Sequence, residues 1–496
     1  MTTTDLLPAP PPHAAARRAL LAGSAGNLVE WYEFGVYGCF ATVIAANFFT
    51  TQGGSGTGAA AEGPAGGAEA LVATYASFAL AFFFRPVGAL LFGRIGDRFG
   101  RRPTLVLVIG LMTLATTLIG LLPTRADIGA AAPWLLTFLR AVQGLSAGGE
   151  FGGAVSVMVE HAPPGRRGLY GAWQSFTVAL GLLAGAATAA ALGTVLSSAA
   201  LYAWGWRVPF LLALPLGLVA LWLRTALEEP PDAPPSAPGT VATAATAGSA
   251  AKAAATEATA ATATAATAAT AAAATAATTE ATATAGSAGS AATAGSATVR
   301  EQVRAVGLGI GRIMGWSAAG YTFLVVLPSH LQSALGASFR DALLATTLVN
   351  LGFAASILPA GLLSDRVGRR PVMLGGALGV AVSAFPLLHV LQSPAASPQA
   401  RAAAVLAAGA LVGLLAGPGP AMLAEMFPRR VRCTGLGLSY ALANAVFSGC
   451  AGLFVTALTA RTASTVVPAL YAATACALSA PALLTLRADD HQEPLR

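Results

Sequence analysis

A short arginine-rich loop occurs twice in this chain, each time between two long apolar runs. Residues 93–103 read GRIGDRFGRRP and residues 361–371 read GLLSDRVGRRP. Asp97 in the first copy aligns with Asp365 in the second, and the glycine, the arginine pair and the proline that follow align as well. A charged loop repeated at the same place in two hydrophobic halves is typical of a duplicated membrane transporter, so the repeat predicts two related helical bundles.

The composition excludes a soluble globular protein. Of the 496 residues, 55% are hydrophobic and 10% are charged, whereas an average soluble domain carries about 25% charged residues. The apolar residues come in runs of about 20, the length at which a helix crosses a bilayer. The basic residues behind the formal net charge of +7 lie in short loops between these runs. They therefore indicate membrane topology rather than nucleic-acid binding.

The apolar runs predict an all-α membrane protein with twelve transmembrane helices in two pseudo-symmetric six-helix bundles. We place the spans at 20–49, 71–92, 103–123, 133–160, 169–195 and 207–225, and at 303–331, 341–363, 371–391, 402–424, 433–459 and 464–486. The predicted divisions are a tail (1–19), a first bundle (20–225), a disordered Ala/Thr-rich linker (226–300), a second bundle (301–487) and a tail (488–496). The linker has few large apolar side chains, so it gains little from entering a membrane and is expected to stay in solvent.

Arginines gather in the loops on one side of the predicted membrane. Both copies of the repeated loop lie there, as do Arg166, Arg167 and Arg432, whereas the loops on the other side carry single arginines such as Arg125 and Arg340. The positive-inside rule therefore predicts that both termini and the linker lie in the cytoplasm.

The two loops resemble motif A of the major facilitator superfamily, which lies between spans two and three and recurs between spans eight and nine. The gating residues that this resemblance implies are Gly93, Asp97, Arg98, Gly100, Arg101, Arg102, Asp365, Arg366, Gly368, Arg369 and Arg370. In the family, such aspartates accept hydrogen bonds from arginine and from a helix N-terminus, and so latch the cytoplasmic ends of the two halves.

Further stretches are similar to the metabolite:proton symporter family within that superfamily. They are GNLVEWYEFGVYG (26–38), FRPVGALLFGRIGDRFGRR (84–102), RAVQGLSAGGEFGG (140–153), WGWRVPF (204–210) and AEMFPRRVRCTGLGLSYALANAVFSG (424–449). The last looks most like 2-oxoglutarate permeases, Trp173-Gln174-Ser175 looks like citrate carriers, and the first span looks like proline/betaine carriers. The resemblance implies the major facilitator fold and proton-coupled uptake of a small polar metabolite across a bacterial inner membrane. We expect a protein that works as a monomer, whose partners are the lipid bilayer, a small-molecule substrate and a proton.

Two glutamates near the middle of the first span are candidates for proton coupling. Glu30 and Glu33 share a helix face at spacing i, i+3. An ionisable group in the bilayer core is costly and usually functional, and two close carboxylates tend to hold one proton between them. Alternatively, one glutamate pairs with an arginine and only holds helices together.

The fourth span carries Arg140, Gln143 and Glu150 on one helical stripe. The planar fork of Arg140 suits a substrate carboxylate, with Gln143 beside it, and Glu150 is a third candidate for proton coupling. Alternatively, Arg140 forms an internal salt bridge with a glutamate. Arg85, beside Pro86 at the end of span two, is interpreted as a structural or gating charge.

The remaining candidates for substrate binding lie in spans five, seven and eleven. Arg312 and Trp316 share a face of span seven. Arg312 either supplies a second positive charge facing Arg140 or extends to the membrane rim. Gln174, Tyr440 and Asn444 either contact substrate or form hydrogen bonds between helices.

The two arginines favour an organic carboxylate such as 2-oxoglutarate or citrate as the substrate. The alternative is proline or glycine betaine, because the aromatic faces of Trp31, Tyr32 and Trp316 attract quaternary ammonium groups. A membrane-embedded enzyme and a channel are weaker alternatives, since no catalytic motif has its required setting and the repeat favours alternating access. We expect no enzymatic activity, no cofactor and no metal site.

Overall fold

The computed structural model describes residues 13–50, 64–99, 101–148, 151–160, 162–225, 299–428 and 431–487. These residues are almost entirely helical, as predicted. The predicted linker lies outside them except for its last two residues, where a helix begins. The described residues up to 225 and from 308 onward form one compact unit.

The helices of the first half are α1 (His13–Cys39), α2 (Ala41–Ile44), α3 (Pro64–Phe99), α4 (Arg101–Leu121), α5 (Arg125–Ile128), α6 (Ala131–Ala147), α7 (Phe151–Glu160), α8 (Arg167–Val195), α9 (Ser198–Ala200) and α10 (Arg207–Thr225). Those of the second half are α11 (Val299–Tyr321), α12 (Leu327–Leu335), α13 (Phe339–Val367), α14 (Arg369–Gln392), α15 (Pro398–Ala416), α16 (Gly419–Met426), α17 (Arg432–Ala443), α18 (Ala451–Thr462) and α19 (Val467–Leu484). Wider π-helical turns occupy Ala45–Phe49, Leu201–Gly205, Thr322–Val326 and Asn444–Gly449.

Among the described residues, nine helices are long and apolar enough to cross a membrane, and a bent pair adds a tenth if Ser198–Gly205 and Arg207–Leu223 form one span. Helix α1 and the pair α6–α7 lie where the first and fourth spans were predicted. Large apolar side chains such as Trp134 and Val382 are exposed, whereas Glu33 and Arg140 are buried. In a soluble protein, charged side chains are mostly exposed and large apolar ones mostly buried. The opposite distribution seen for these residues suits a helical bundle in lipid.

The two halves repeat the same helix pairings. In the first half α3 packs on α6 and α4 on α10, and in the second half α13 packs on α15 and α14 on α19. Between the halves, α8 lies along α13 and α3 lies along α18. The matched pairings give the pseudo-symmetry that the repeated loop predicted and leave a cavity between the halves.

Glycines set the spacing of the tightest pairs. A Cβ at Gly144 of α6 would overlap the carbonyl oxygen of Ala81 in α3, and a Cβ at Gly409 of α15 would overlap that of Val349 in α13. Only glycine allows this approach, so the small residues hold corresponding pairs of the two halves at short range.

Candidate functional site

A central cavity of about 30 Å³ lies between the halves. Its lining includes five aromatic side chains from both halves, namely Trp31, Trp316, Tyr321, Phe353 and Tyr440. One water needs roughly 10–15 Å³ on this measure, so the cavity in this conformation is smaller than a metabolite.

Contacts between the halves close both sides of this cavity. On the side away from the arginine-rich loops, the Tyr75 hydroxyl lies 2.7 Å from Ser329 Oγ, and Thr42 Oγ1 donates to Gln332 Oε1 at 2.9 Å. On the arginine-rich side, Ser175 Oγ donates to the carbonyl of Ala416 at 2.7 Å. The structure therefore describes an occluded conformation.

A buried ion pair lies behind the aromatic wall of the cavity. Arg85 Nη2 of α3 donates to Glu30 Oε1 of α1 at 3.0 Å, and the two side chains are 4% and 6% exposed. The Arg85 guanidinium also lies 4.4 Å from the ring centre of Phe82 and 5.5 Å from that of Trp31, which lines the cavity. Glu30 thus has the arginine partner that the alternative interpretation of the glutamates required, and a cation–π contact connects this pair to the cavity wall.

The second glutamate of α1 has different partners. Glu33 is 1% exposed, and its Oε2 accepts a hydrogen bond from the hydroxyl of Thr116 in α4. Gln143 Nε2 of α6 donates to the same hydroxyl oxygen. Within the described part of the chain, Glu33 Oε1 has no hydrogen-bond partner. Burial of a carboxylate without a cation partner costs several kcal/mol, so this environment suits a carboxyl group that carries a proton.

Arg140 completes this polar cluster. Its Nη1 donates to Gln143 Oε1 at 2.8 Å, and its guanidinium carbon lies 3.2 Å from the ring centre of Tyr37. The side chain is fully buried, and among the described residues its Nε and Nη2 have no hydrogen-bond partner. An arginine whose Nε and Nη2 have no hydrogen-bond partner among the described residues is able to bind an anion if the aromatic rings beside it move.

The other predicted substrate residues divide into two groups. Trp316, Tyr440 and Asn444 line the cavity. Asn444 Oδ1 also accepts from Ser448 Oγ at 2.7 Å, and Trp316 lies 5.9 Å from the Tyr440 ring. These three residues are brought together, which the i, i+4 spacing in span eleven predicted only for Tyr440 and Asn444.

Arg312 and Gln174 do not line the cavity. Arg312 Nη2 donates to Thr485 Oγ1 at 2.9 Å and its Nε to the carbonyl of Ala482 at 3.3 Å, at the C-terminal end of α19. Of the two placements predicted for Arg312, a position facing Arg140 across the cavity is not seen in this conformation, because its guanidinium lies against the end of α19. Gln174 is buried but absent from the cavity lining, where its neighbour Ser175 lies instead.

The second copy of the repeated loop joins the halves at the arginine-rich side. Asp365 accepts hydrogen bonds from the backbone nitrogens of Gly168 and Leu169 at 2.7 and 2.9 Å, at the N-terminus of α8. Arg369 Nη1 donates to Asp365 Oδ1 at 2.7 Å, and its other nitrogens hold both oxygens of Glu425. The Asp365 carboxylate thus connects the positive N-terminal end of α8, in the first half, to Arg369 in the second half.

Other residues of the loop have separate roles. Gly368 joins α13 to α14 with φ of 93°, a backbone conformation that favours glycine. Arg366 is exposed and Arg370 is half-buried. In the first copy Gly93 lies within α3 and Arg98 is exposed, whereas the side chains of Asp97, Arg101 and Arg102 and the whole of Gly100 and Glu150 lie outside what the structure describes.

Sequence reasoning missed Thr116 and Tyr321, and it named Arg85 as a structural or gating charge without its partner. Arg85 was visible as a charge in an apolar run, but its pairing with Glu30 depends on the packing of α3 on α1. Thr116 and Tyr321 carried no signal, because single hydroxyls in apolar spans are common and usually bond to their own helix. Tyr321 lines the cavity, and Thr116 connects Glu33 to Gln143.

Comparison with known proteins agrees with this architecture. The family model described as "Sugar (and other) transporter" matches residues 19–486. The chain is similar to the ectoine/proline transporter ProP of Corynebacterium glutamicum, with 32% identity covering 100% of this chain and 88% of that protein. It is also 32% identical to the alpha-ketoglutarate permease of Escherichia coli (87% and 85% covered) and 31% identical to a citrate-proton symporter of Klebsiella pneumoniae (89% and 85% covered). A crystal structure of a D-xylose-proton symporter aligns with a TM-score of 0.65 at 19% identity, covering 94% of this chain and 97% of that one, which shows the shared fold.

Proposed function

The chain belongs to the sugar (and other) transporter family, and from that membership we propose that it imports a small zwitterionic carboxylate together with a proton. The observation that carries the proposal is the pair of buried glutamates with unlike partners: Glu30 is bound by Arg85, whereas Glu33 is bound by neutral groups. Its relatives, which include an ectoine/proline transporter, an alpha-ketoglutarate permease and a citrate-proton symporter, support a small carboxylate as the substrate.

Glu33 is the residue that takes up the transported proton. Its carboxyl is buried and accepts a hydrogen bond from the Thr116 hydroxyl, so the neutral form is tolerated and the charged form requires compensation. Arg140 is the nearest source of such compensation on α6, since its guanidinium already bonds the same Gln143. Loss of the proton therefore draws Arg140 toward Glu33 and away from Tyr37, which changes the packing next to the cavity.

The lining of the cavity supports a zwitterion more than a dianion. Five aromatic rings line it, and the described lining residues include no basic side chain. Aromatic faces attract ammonium groups, including quaternary and ring ammonium groups. Asn444, Ser317 and Ser175 supply neutral hydrogen-bonding groups for a carboxylate.

The contact of Asp365 with the α8 N-terminus holds the arginine-rich side closed. Release of substrate on that side requires the two backbone hydrogen bonds to break, so Asp365 and Arg369 act as a gate between conformations. By the positive-inside rule, this side faces the cytoplasm.

The test is uptake by purified protein in proteoliposomes with an inward proton gradient. A panel of radiolabelled ectoine, proline, glycine betaine, 2-oxoglutarate and citrate is offered, with and without a protonophore. We expect a zwitterion to accumulate and the protonophore to abolish accumulation. Glu33→Gln is expected to lose accumulation while keeping substrate counterflow, and Glu69→Gln, at an exposed position of α3, is the matched control. Accumulation by Glu33→Gln at the wild-type level would refute the assignment of the proton to Glu33.

An organic anion is the second candidate substrate, because Arg140 has two nitrogens without a hydrogen-bond partner among the described residues. The same panel separates the two classes. Arg140→Lys keeps the charge but loses the planar fork, so it is expected to reduce binding of a dicarboxylate far more than binding of a zwitterion.

A further inference from the structure

A second cavity lies inside the first half, away from the aromatic one. It has a volume of about 10 Å³ and lies among α1, α4 and α6, where its lining includes Gly26, Glu30, Val108, Thr113 and Ala147. None of its lining residues lines the central cavity. Glu30 therefore forms an ion pair with Arg85 and also lines this small cavity.

The size of this cavity suits one water molecule, and two of its lining residues, Glu30 and Thr113, are polar, while the others are Gly26, Val29, Val108, Ile109, Met112 and Ala147. The side chain of Thr113 is 4% exposed, and in the described part of the chain its Oγ1 has no hydrogen-bond partner although it lines the cavity. A buried hydroxyl without a partner is uncommon, and a bound water is one way in which such a group is satisfied. The Glu30 carboxylate and the Thr113 hydroxyl supply two polar partners, and the volume is near the roughly 10–15 Å³ that one water needs.

The position of the cavity relates it to the arginine-rich side. Gly26 precedes Glu30 by one turn of α1, Val108 lies near the start of α4, and Ala147 ends α6. All three positions lie toward the arginine-rich side of the protein. The cavity is thus displaced from Glu30 toward that side.

We propose that this cavity is a hydrated proton-exit site in which a water held by Thr113 accepts the proton from Glu30, separately from the substrate path. Glu30 first accepts the proton that Glu33 has taken up, and its carboxyl then transfers that proton to the water oxygen. The water then passes a proton to solvent on the arginine-rich side, and the carboxylate that remains is held by Arg85. This inference rests on the proton-coupled transport proposed above and assigns Thr113 as a positioning residue for that water.

The groups that face Glu30 make this direction of transfer reasonable. Arg85 of α3 stabilises the carboxylate after the proton has left. Glu33 lies one turn along the same helix and supplies the proton to Glu30, and Tyr321 and Tyr440 of the other half are near enough to interact electrostatically with Glu30. The residues that α4 and α6 contribute to the cavity carry no charge, so the water meets no competing ion there.

Two variants of the cavity test the proposal in proteoliposomes. Thr113→Val removes the hydroxyl at nearly constant volume, and Val108→Ile fills part of the space. With radiolabelled proline as the probe, both are expected to slow proton-driven uptake by about tenfold, while counterflow, which needs no net proton movement, stays within about twofold of wild type. The matched control is Thr117→Val, whose hydroxyl bonds to the carbonyl of Thr113 outside the cavity. Wild-type uptake in both cavity variants, or an equal loss of uptake and counterflow, would overturn the proposal.

A measurement without substrate keeps this test independent of the proposed cargo. After a drop in pH, time-resolved infrared spectroscopy of the protein in nanodiscs records protonation of its buried carboxyl groups. Thr113→Val is expected to slow the appearance of the protonated-carboxyl band by about tenfold, and Thr117→Val is expected to leave its rate unchanged. If wild type does not transport proline but the infrared difference appears, the substrate class is wrong and the proton site stands. Equal protonation rates in all three proteins would refute the proton site itself.

Discussion

Gly168→Ala probes the contact that closes the arginine-rich side. A Cβ at Gly168 would stand 2.5 Å from Ser364 Oγ and 2.6 Å from the carbonyl oxygen of Gly361, and it would also overlap Arg369 Nη1. Two of these neighbours are on α13, whose packing on α8 holds the halves together. The methyl group must therefore push α8 away from Asp365 and lengthen its two backbone hydrogen bonds, now 2.7 and 2.9 Å.

The size of the effect follows from those two bonds. A hydrogen bond to a charged group contributes about 1.5–3 kcal/mol. Loss of one such bond, about 2 kcal/mol, shifts the equilibrium toward the conformation open on this side by roughly thirtyfold. A population of open molecules that is too small to detect in wild type becomes measurable in the variant.

Electron-spin distance measurements between labels at Pro164 and Val367, both exposed and in opposite halves, report the opening. In a background with the native cysteines replaced by serine, Gly168→Ala is expected to add a longer distance. Gly153→Ala is the control, because a Cβ there meets nothing within 4 Å. An unchanged distance distribution in Gly168→Ala, or an equal change in Gly153→Ala, would refute the reasoning.

Three further outcomes are expected. Thr116→Val removes the hydroxyl that Glu33 and Gln143 share, at a cost of about 1–3 kcal/mol. Proton-driven accumulation of substrate should fall in this variant, whereas accumulation by Thr117→Val, on the same helix, should stay near that of the wild type. Gly144→Ala places a methyl group against a backbone carbonyl of α3 and should destabilise the protein by about 1–3 kcal/mol, read as a lower thermal midpoint in detergent; Gly110→Ala, with open space around its Cβ, should not. Asp365→Asn should reach the membrane in normal amounts but transport slowly, because an amide accepts the two backbone bonds less strongly than a carboxylate; normal uptake per molecule would contradict the gate.

Part of the candidate site was predictable because it depends on local geometry. Asp365 and Gly368 were marked by the repeat, and the structure places Asp365 on a helix N-terminus and Gly368 at a positive φ. Tyr440 and Asn444 were predicted to share a face, and both line the cavity. The placement of Arg312 was left open between the cavity and the membrane rim, because spacing along a helix does not specify how far the helix is turned; in the structure its guanidinium contacts the end of α19.

The sequence by itself determined the class of the protein. Apolar runs of bilayer length must form helices, since backbone groups in lipid have no other partners, and the repeated loop requires two related halves. Only the tertiary structure decided which charges meet. The pairing of Arg85 with Glu30, the hydroxyl of Thr116 between Glu33 and Gln143, and the separation of the two cavities depend on how far each helix is turned and how closely it packs. Contacts of glycines with helices distant in sequence, such as Gly144 with Ala81 and Gly409 with Val349, set the distance between helices, and the order of residues along the chain does not specify these partners.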